Sequence, residues 1–471
     1  MTELIEDLIA VVGRQHVLEG TDAAPYLTDW RKMRTGHARA VVRPADTAQV
    51  AAVVKLCAAQ RLPIVPQGGN TGQVAAATPD ASGNAVVVSM QRLKQIRKID
   101  LANDTITVEA GCILQVVQQA AFDAGRLFPL SLGAEGSCFI GGNLATNAGG
   151  TQVLRYGNAR ELALGLEVVT AEGEVWNGLH GLRKDNTGYD LRDLYIGSEG
   201  TLGIITAATL KLFPLPRAQR TALLALPDLS AAVTLLDRAR ERFGAALTGY
   251  EIMSSDCMQL VLDTYPQQRL PFGQPPPGCT WYALLELSDN ESEAHAEALF
   301  EAVLGESLES GLILDAAISS SQAQSDAFWH LRESITLALS ETGYCIKHDI
   351  SLPISEIETF AQDTARALQS AFPELRLRIF GHLGDGNLHY NMQGPRGATR
   401  DAMVAIESEV HAVVHDRVHA LGGSISAEQG IGATRTGDLA HYKDPLAIAL
   451  MRRIKHALDP TGIMNPGKVL S

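Results

Sequence analysis

The sequence has few cysteines, and none of them is arranged as a pair. The six cysteines lie far apart along 471 residues, at positions 57, 112, 138, 257, 279 and 345. The absence of a Cys-x-x-Cys motif argues against an iron–sulfur cluster, a zinc ribbon and a dense disulfide framework. We therefore expect reduced thiols in a reducing compartment.

Runs of basic residues and long apolar segments are also missing. The formal net charge is -14, so neither a nucleic acid nor an anionic membrane surface is an expected partner. No apolar run approaches the length that spans a membrane. The first residues carry Glu3, Glu6 and Asp7, where a signal peptide would be basic. These features predict a cytoplasmic protein without a membrane segment.

Two common nucleotide-binding motifs are absent, whereas glycine-rich loops are prominent. Neither a Gly-x-Gly-x-x-Gly motif that opens a helix nor a P-loop is present, so a Rossmann nicotinamide site and a nucleotide hydrolase lack support. The glycine-rich loops are residues 66–72, 132–150 and 197–203. One such loop could simply mark a turn, but three together favour close backbone approach to a diphosphate and a flavin edge.

The pattern of short strands and helices predicts an α+β fold with more than one domain. A length of 471 residues with 46% hydrophobic content allows two or three cores. Short apolar strands, among them 85–89 and 105–109, alternate with helices up to the proline-rich stretch 212–217. Longer helices follow, at 229–243, 291–305, 321–340, 354–372 and 400–421, with strands near 281–287 and 376–382. This second region is typical of an antiparallel sheet covered by helices.

A candidate metal site is the hairpin His382-Leu-Gly-Asp-Gly-Asn-Leu-His389. Its Gly-Asp-Gly-Asn core suits a tight turn, and the flanking residues are typical of strands. The period of two places His389 and Asn391 on one face of the outgoing strand. Glu428, in a glycine-flanked turn, is a candidate third ligand, and two imidazoles with a carboxylate suit zinc or manganese. Structural histidines and a surface carboxylate are the alternatives.

Taken together, these motifs resemble a known family, the FAD-linked oxidases of the vanillyl-alcohol oxidase type. The resemblance runs from about residue 36 to the end, and within the family it is closest to the D-2-hydroxyglutarate and D-lactate dehydrogenases. The segments that carry it are 66–72, 141–143, 147–150, 184–190, 197–203, 382–389 and 465–468.

The resemblance implies a domain organisation. A helix and lead-in at residues 1–35 would precede a PCMH-type FAD-binding domain of two α+β subdomains at 36–215. A cap domain with an antiparallel sheet, carrying the substrate and metal sites, would span 216–440. A C-terminal segment, 441–471, would return to the FAD domain.

The resemblance also implies which residues contact FAD. The diphosphate is assigned to the loop that begins at Pro66, at Gly68, Gly69, Asn70, Thr71 and Gly72. Flavin contacts are assigned to Leu132, Gly136, Ser137, Gly142, Asn143, Thr146, Ala148, Ile205 and Asn465. Many relatives tether FAD through a histidine in the first loop, but this loop has Asn70, so we expect FAD to be held non-covalently.

For the substrate, the resemblance assigns His382, His389 and Glu428 to the metal and Asn391 to a nearby contact. Arg332 and Thr336 lie four apart and would share a helix face. With Lys347 on a following strand, they are expected to bind the substrate carboxylates. The alternatives are a surface ion pair between Arg332 and Glu333 and a solvated Lys347. His348 would face away from Lys347 and have a structural role.

One departure from the family concerns the proton acceptor. Relatives usually have Glu-His-Gly, with the histidine as a candidate base, whereas this chain has Glu428-Gln429-Gly430. A glutamine cannot take a proton at neutral pH. We expect the metal to activate the hydroxyl, with solvent or a hydroxide on the metal as the acceptor.

The expected function is an FAD-dependent, metal-assisted dehydrogenase. It would oxidise a D-2-hydroxy acid, with D-2-hydroxyglutarate favoured, to the 2-keto acid by hydride transfer to flavin N5. A D-lactate or glycolate dehydrogenase and a non-catalytic flavin-binding subunit remain open. The absence of cluster and membrane motifs indicates a soluble electron acceptor such as electron-transfer flavoprotein. A homodimer is a candidate assembly that the sequence does not decide.

Overall fold

A computed structural model describes residues 2–470 and shows two compact units. Unit 1 combines the chain up to Gly149 with Gly157–Leu215 and the segment from Glu428 onward. Unit 2 combines Gly150–Tyr156 with Pro216–Ala427. The strands are β1 Val17–Leu18, β2 Ala38–Val42, β3 Ile64–Gln67, β4 Ala85–Ser89, β5 Ile96–Asp100, β6 Thr105–Glu109, β7 Arg126–Leu127, β8 Ala163–Val169, β9 Val175–Gly178, β10 Ile204–Lys211, β11 Phe213–Pro214, β12 Ala218–Leu226, β13 Leu247–Ser254, β14 Trp281–Asp289, β15 Asp315–Ile318, β16 Cys345–Ile346, β17 Asp349–Ser351, β18 Arg376–His382 and β19 Asn387–Gln393.

The helices differ greatly in length. They are α1 Thr2–Val12, α2 Gly20–Ala23, α3 Thr47–Ala59, α4 Leu114–Asp123, α5 Ile140–Ala145, α6 Val153–Tyr156, α7 Ala159–Leu162, α8 Arg192–Tyr195, α9 Leu229–Phe243, α10 Ser255–Thr264, α11 Glu293–Glu309, α12 Gln322–Glu341, α13 Ile357–Ala371, α14 Arg400–Ala420, α15 Thr436–Tyr442 and α16 Pro445–Leu458. Within residues 2–470, none of them is both long enough and apolar enough to cross a lipid bilayer.

Unit 1 contains two main sheets. In the first, the order is β1-β2-β4-β3, with parallel pairing of β2 and β3 to β4. Helix α3 starts at an Asp46 cap, whose carboxylate accepts from the Gln49 amide, and buries valines against this sheet. The second sheet has the antiparallel order β5-β6-β10-β8-β9. This is the predicted α+β class, and the predicted strands β4 and β6 have the predicted bounds.

The C-terminal segment is part of unit 1. The Ile64 amide donates to Ile463 O, and the Asn465 amide donates to Ile64 O, so the segment runs parallel beside β3. Further upstream, the amides of Ile431 and Gly432 each donate to the Glu199 carboxylate at 2.8 Å. These bonds explain why the structural division falls after Ala427, earlier than the 440 expected from the sequence.

Unit 2 is built on one eight-stranded sheet with helices packed against it. Its order is β15-β12-β14-β13-β18-β19-β16, and β17 also pairs with β19. All of its ladders are antiparallel, as predicted. Helices α10 and α12 bury leucine, isoleucine and phenylalanine side chains against β12, β13 and β14. The sequence did not predict β12, β13 or α10, whereas α9 and β18 have the predicted bounds.

Candidate functional site

Unit 1 contains a cleft between its glycine-rich loops, with about 590 Å³ of space when open solvent is included. Five of the cofactor residues predicted from the sequence line the cleft: Pro66, Gly68, Gly142, Thr146 and Ile205. The sequence did not assign the other lining residues, which are Gln67, Ala76, Ala77, Met90, Gly141, Ala145, Ser198, Glu199, Gly200, Gly203 and Ile204. Four of these, Ser198, Glu199, Gly200 and Gly203, belong to the third glycine-rich loop, 197–203, so that loop was the available signal.

The first two glycine-rich loops approach each other backbone to backbone. A Cβ added at Gly69 would lie 2.1 Å from Ser137 O, and one added at Gly68 would lie 3.5 Å from Gly142 Cα. A Cβ at Gly69 would therefore push the loops apart, whereas one at Gly68 would be in ordinary van der Waals contact with the second loop. Such closely apposed glycine backbones, with small residues along the wall, fit a diphosphate and a flat ring system.

Several predicted cofactor residues do not line the cleft and are hydrogen-bonded to other parts of unit 1. Asn70, at a positive φ of 53°, donates from its amide to Thr28 O. Buried Asn143 donates to Cys138 Sγ, and buried Asn465 donates to Ala76 O and Glu199 O. The remaining predicted cofactor residues lie on loops 66–72 and 132–150 but are not among the residues that line the cleft: Gly69, Thr71, Gly72, Leu132, Gly136, Ser137 and Ala148. Their flavin contacts remain predictions.

Glu199 is a buried carboxylate on the wall of this cleft. It adopts a positive φ of 52° and accepts two amides from the C-terminal segment. Burial raises the pKa of Glu199 above its ordinary value, although the two accepted amides oppose the shift. Glu199 thus fastens residues 431 and 432 beside the cleft.

Unit 2 contains the predicted histidine hairpin. Strands β18 and β19 pair antiparallel around a turn at Leu383–Asp385, and Gly386 takes the left-handed conformation at φ 83°. Across the hairpin, the rings of His382 and His389 have centroids 5.8 Å apart, and one ligand nitrogen of each lies within 4.8 Å of the other. The hairpin therefore brings both imidazoles to one place.

A carboxylate that the sequence did not reveal orients His382. Glu251, on β13, is fully buried and lies directly opposite His382 in the β13–β18 ladder. His382 Nδ1 donates to Glu251 Oε1 at 2.5 Å. Burial by itself raises the pKa of Glu251, but the nearby charges of His382 and Arg332 outweigh it and hold that pKa below its ordinary value. The carboxylate keeps His382 Nε2 available as a ligand atom.

His389 has a carboxylate on its Nδ1 side as well. Asp349 Oδ1 lies 4.0 Å from His389 Nδ1, and Asn387 donates to the same Asp349 oxygen at 2.9 Å. Asp349 also accepts, through its backbone carbonyl, from the amide of Ala427 at 3.1 Å. Glu428 is the next residue along the chain, and it begins the C-terminal segment of unit 1. Gln429 follows, and both side chains are half-buried.

The three predicted clamp residues are placed differently from one another. Arg332 and Thr336 lie one turn apart on α12, as expected. Arg332 is buried, and its Nε and Nη2 both lie 2.9 Å from Glu251 Oε2, so its ion-pair partner is Glu251 and not the Glu333 considered from the sequence. Lys347 is half-buried between β16 and β17.

Glu251 is therefore shared between a predicted metal ligand and a predicted substrate-binding arginine. The Arg332 guanidinium also lies 4.7 Å from the centre of the Phe380 ring on β18. Asn391, on β19, is buried, and its Oδ1 accepts from the His348 amide at 3.1 Å. The positions of Arg332 and Asn391 are thus fixed by bonds inside unit 2.

The comparisons with known proteins define the class. The family described as FAD linked oxidases, C-terminal domain, matches residues 215–469, and the FAD binding domain family matches residues 38–178. The chain belongs to the FAD-linked oxidase family and is an FAD-dependent dehydrogenase, as predicted.

Individual relatives narrow this class. The chain is 37% identical to the mitochondrial D-2-hydroxyglutarate dehydrogenase of Bos taurus over 99% of its own length and 83% of that protein. It is 39% identical to the D-2-hydroxyglutarate dehydrogenase of Xanthomonas citri pv. viticola over 96% of its own length and 93% of that protein.

Solved structures confirm the predicted fold. p-Cresol methylhydroxylase superposes with a TM-score of 0.76 at 18% identity, covering 100% of this chain and 97% of the other. Alkyldihydroxyacetonephosphate synthase superposes with a TM-score of 0.75 at 16% identity, covering 99% and 84%.

Proposed function

We propose that the protein is a metal-assisted, FAD-dependent dehydrogenase that oxidises D-2-hydroxyglutarate to its 2-keto acid. The observation that carries this proposal is the pair His382 and His389, each with a carboxylate on its Nδ1 side, in a chain related to D-2-hydroxyglutarate dehydrogenases. Metal-binding histidines characteristically have such carboxylate partners.

We assign the metal to His382, His389 and Glu428. Two imidazole nitrogens and one carboxylate suit Zn²⁺ or Mn²⁺ and leave coordination positions for substrate oxygens. The choice of Glu428 is supported by connectivity, because the preceding residue, Ala427, is hydrogen-bonded to Asp349 beside His389. When bound, the ion would supply Lewis-acid activation of the substrate hydroxyl, and FAD would accept the hydride at N5.

The cofactor is held non-covalently in this proposal. Asn70 stands in the first glycine-rich loop, where a tethering histidine occurs in other members of the superfamily, and its amide is engaged with Thr28 O. The assigned diphosphate and flavin contacts are those given above for the two loops. We propose residues 36–215 and 441–471 as the FAD-binding portion and residues 216–440 as the portion for substrate and metal.

Substrate carboxylates are assigned to Arg332, Thr336 and Lys347. Arg332 is already neutralised by Glu251, so its first role is to hold that carboxylate in place, while its remaining nitrogen, Nη1, serves the substrate. Lys347 then provides most of the attraction for a second carboxylate, which favours a diacid. Because Arg332 is already paired with Glu251, it attracts a second substrate carboxylate less strongly. D-lactate or glycolate, which has one carboxylate, is therefore the second candidate substrate.

The proton of the substrate hydroxyl is assigned to solvent, because Gln429 cannot accept it. Asn391, whose Oδ1 is occupied by the His348 amide, would donate from its Nδ2 to a substrate oxygen. If Gln429→His leaves the pH profile of flavin reduction unchanged, position 429 has no part in proton transfer.

Reduction of the bound flavin under anaerobic conditions tests the function and the substrate together. D-2-hydroxyglutarate should bleach the flavin faster than D-lactate or glycolate does. Faster bleaching by D-lactate would select the monoacid. No bleaching by any of the three would favour a non-catalytic flavin-binding subunit.

We further propose a soluble electron acceptor of the electron-transfer flavoprotein type and a cytoplasmic location. The location is supported by the absence of any disulfide among the six cysteines, all of which lie in the described residues. Size-exclusion chromatography with light scattering would test the candidate homodimer.

A further inference from the structure

Unit 2 contains a second group of histidines, separate from the hairpin pair. His348 lies between β16 and β17, and His411 and His415 lie one turn apart on α14. One ligand nitrogen from each lies within 4.8 Å of the others. The spacing of four puts His411 and His415 on one helix face, and their rings stack at an angle of 8°. His348 and His415 are only 1% and 3% exposed, so the group is largely shielded from water.

The protonation of His348 is fixed by its surroundings. Its Nδ1 lies 2.7 Å from Tyr390 O, and because a carbonyl can only accept, this nitrogen carries the proton. Its Nε2 is therefore an acceptor, and it faces His411 Nδ1 at 2.8 Å. A histidine that donates one ring N–H to a backbone carbonyl and directs the other nitrogen into a cluster has the arrangement typical of a metal ligand.

His411 has a corresponding carboxylate on its far side. Glu407 lies one turn earlier on α14, with Oε1 3.6 Å from His411 Nε2. The Tyr344 hydroxyl lies 3.2 Å from both Glu407 oxygens and holds the carboxylate in place. If an ion took the place of the proton between His411 and His348, that proton would move to His411 Nε2, facing Glu407. Exchange of proton for metal would therefore leave both ring nitrogens of His348 and both of His411 with a partner.

We infer that His348, His411 and His415 bind a divalent transition ion of the zinc class, at a site distinct from His382 and His389. Three imidazoles with an open position are a common zinc set, and Zn–N bonds of about 2.0–2.1 Å would separate neighbouring nitrogens by about 3.3 Å. The His348–His411 pair needs to open by only about 0.5 Å from its 2.8 Å separation to reach this. The inference does not depend on the proposed function.

A bound ion would join α14 to the segment between β16 and β17. The His348 amide donates to Asn391 on β19, the strand that also carries His389. The ion would therefore stiffen the support of the hairpin without contacting substrate. Its expected effect is on stability first, measured as a rise in melting temperature when Zn²⁺ is added to chelator-treated protein.

Metal content tests the inference directly. The full-length protein would be stripped with a chelator, re-equilibrated with Zn²⁺ and analysed for bound zinc and flavin. Wild type should retain about two equivalents, His411→Ala about one and His389→Ala about one. His419→Ala is the matched control, because His419 is exposed on the same helix and lies outside the three-histidine group, and it should keep both equivalents.

The results separate the two sites. If wild type binds one equivalent of zinc that is lost in His389→Ala and kept in His411→Ala, the second site is refuted. If wild type binds one equivalent that is lost in His411→Ala and kept in His389→Ala, the second site is supported and the hairpin site is contradicted. If His411→Ala fails to fold, as judged by flavin content, Glu407→Gln replaces it. That variant should weaken Zn²⁺ binding at the second site by about 10–100-fold, and unchanged affinity would refute the arrangement.

Discussion

Replacing Glu251 tests whether one buried carboxylate both stabilises unit 2 and orients the metal ligand. Glu251 is fully buried and accepts from Arg332 and from His382 Nδ1. In Glu251→Gln the guanidinium of Arg332, itself 7% exposed, loses its counter-charge. Breaking a buried ion pair by removing one partner costs about 3–5 kcal/mol. We expect that loss in the free energy of unfolding, measured with urea.

Metal affinity should fall in the same variant for a different reason. Without the carboxylate, the tautomer and orientation of His382 are no longer fixed, and removal of such a partner typically weakens metal binding by about 10–100-fold. The double variant Glu251→Gln/Arg332→Met removes both charges, so most of the stability should return. Its metal affinity should stay low. The double variant therefore separates the stabilising role of Glu251 from its orienting role.

Glu286→Gln provides the matched control. Glu286 is a second buried carboxylate in the same sheet, bonded to Thr248 and Trp329. Burial raises the pKa of Glu286, and Glu286→Gln leaves the bonds of Glu251 to His382 and Arg332 in place. Affinity for Zn²⁺, measured by competition with a chromophoric chelator, should match wild type. The reasoning is refuted if Glu251→Gln and its double variant also bind Zn²⁺ as wild type does.

Three further predictions concern the flavin cleft, the pH dependence and the proton acceptor. Gly69→Ala should lose bound flavin, because the new Cβ would lie 2.1 Å from a facing carbonyl oxygen. The loss would be measured as a lower ratio of absorbance at about 450 nm to that at about 280 nm. Gly437→Ala is the control, because open space surrounds Gly437, and it should keep its flavin. Glu167, on β8, accepts hydrogen bonds from Arg97, on β5, at 3.0 and 3.2 Å. Burial raises the pKa of Glu167, but its hydrogen bonds and the charge of Arg97 hold that pKa below its ordinary value. The ionised Glu167 therefore contributes stability above the unfolded pKa of about 4.3, and this contribution is lost as the pH falls through the folded pKa. Arg97→Met should therefore lower stability at pH 7 by about 2 kcal/mol and flatten this acid dependence, and an unchanged acid unfolding curve would contradict it. Gln429→His should add an ionisation with a pKa of about 6–7 to the profile of flavin reduction.

The sequence predicted those elements whose residue pattern is compatible with only one kind of local structure. The histidine hairpin follows from its Gly-Asp-Gly-Asn turn, and α9 follows from its apolar periodicity. β4 follows from an unbroken valine run. These patterns act over a few residues, so no tertiary information was needed.

The parts that were missed depend on contacts between distant residues. Glu251 is 131 positions from His382, and it lies in an apolar strand, β13, that the sequence did not predict. β12 was also missed, because its run of leucine and alanine fits a buried helix as well as a strand. The cluster formed by His348 with α14 depends on the same kind of long-range packing. Only His411 and His415, four residues apart, offered a local signal.

Flavin reduction in metal-depleted protein tests the central claim most directly. His389→Asn and chelator-treated wild type would be mixed anaerobically with D-2-hydroxyglutarate, and the absorbance of the bound flavin would be followed. Both should retain flavin but bleach at least about 100-fold more slowly than untreated protein, and Zn²⁺ or Mn²⁺ should restore only the wild type. Bleaching at the untreated rate in both samples would contradict the assignment of the histidine hairpin to a catalytic metal.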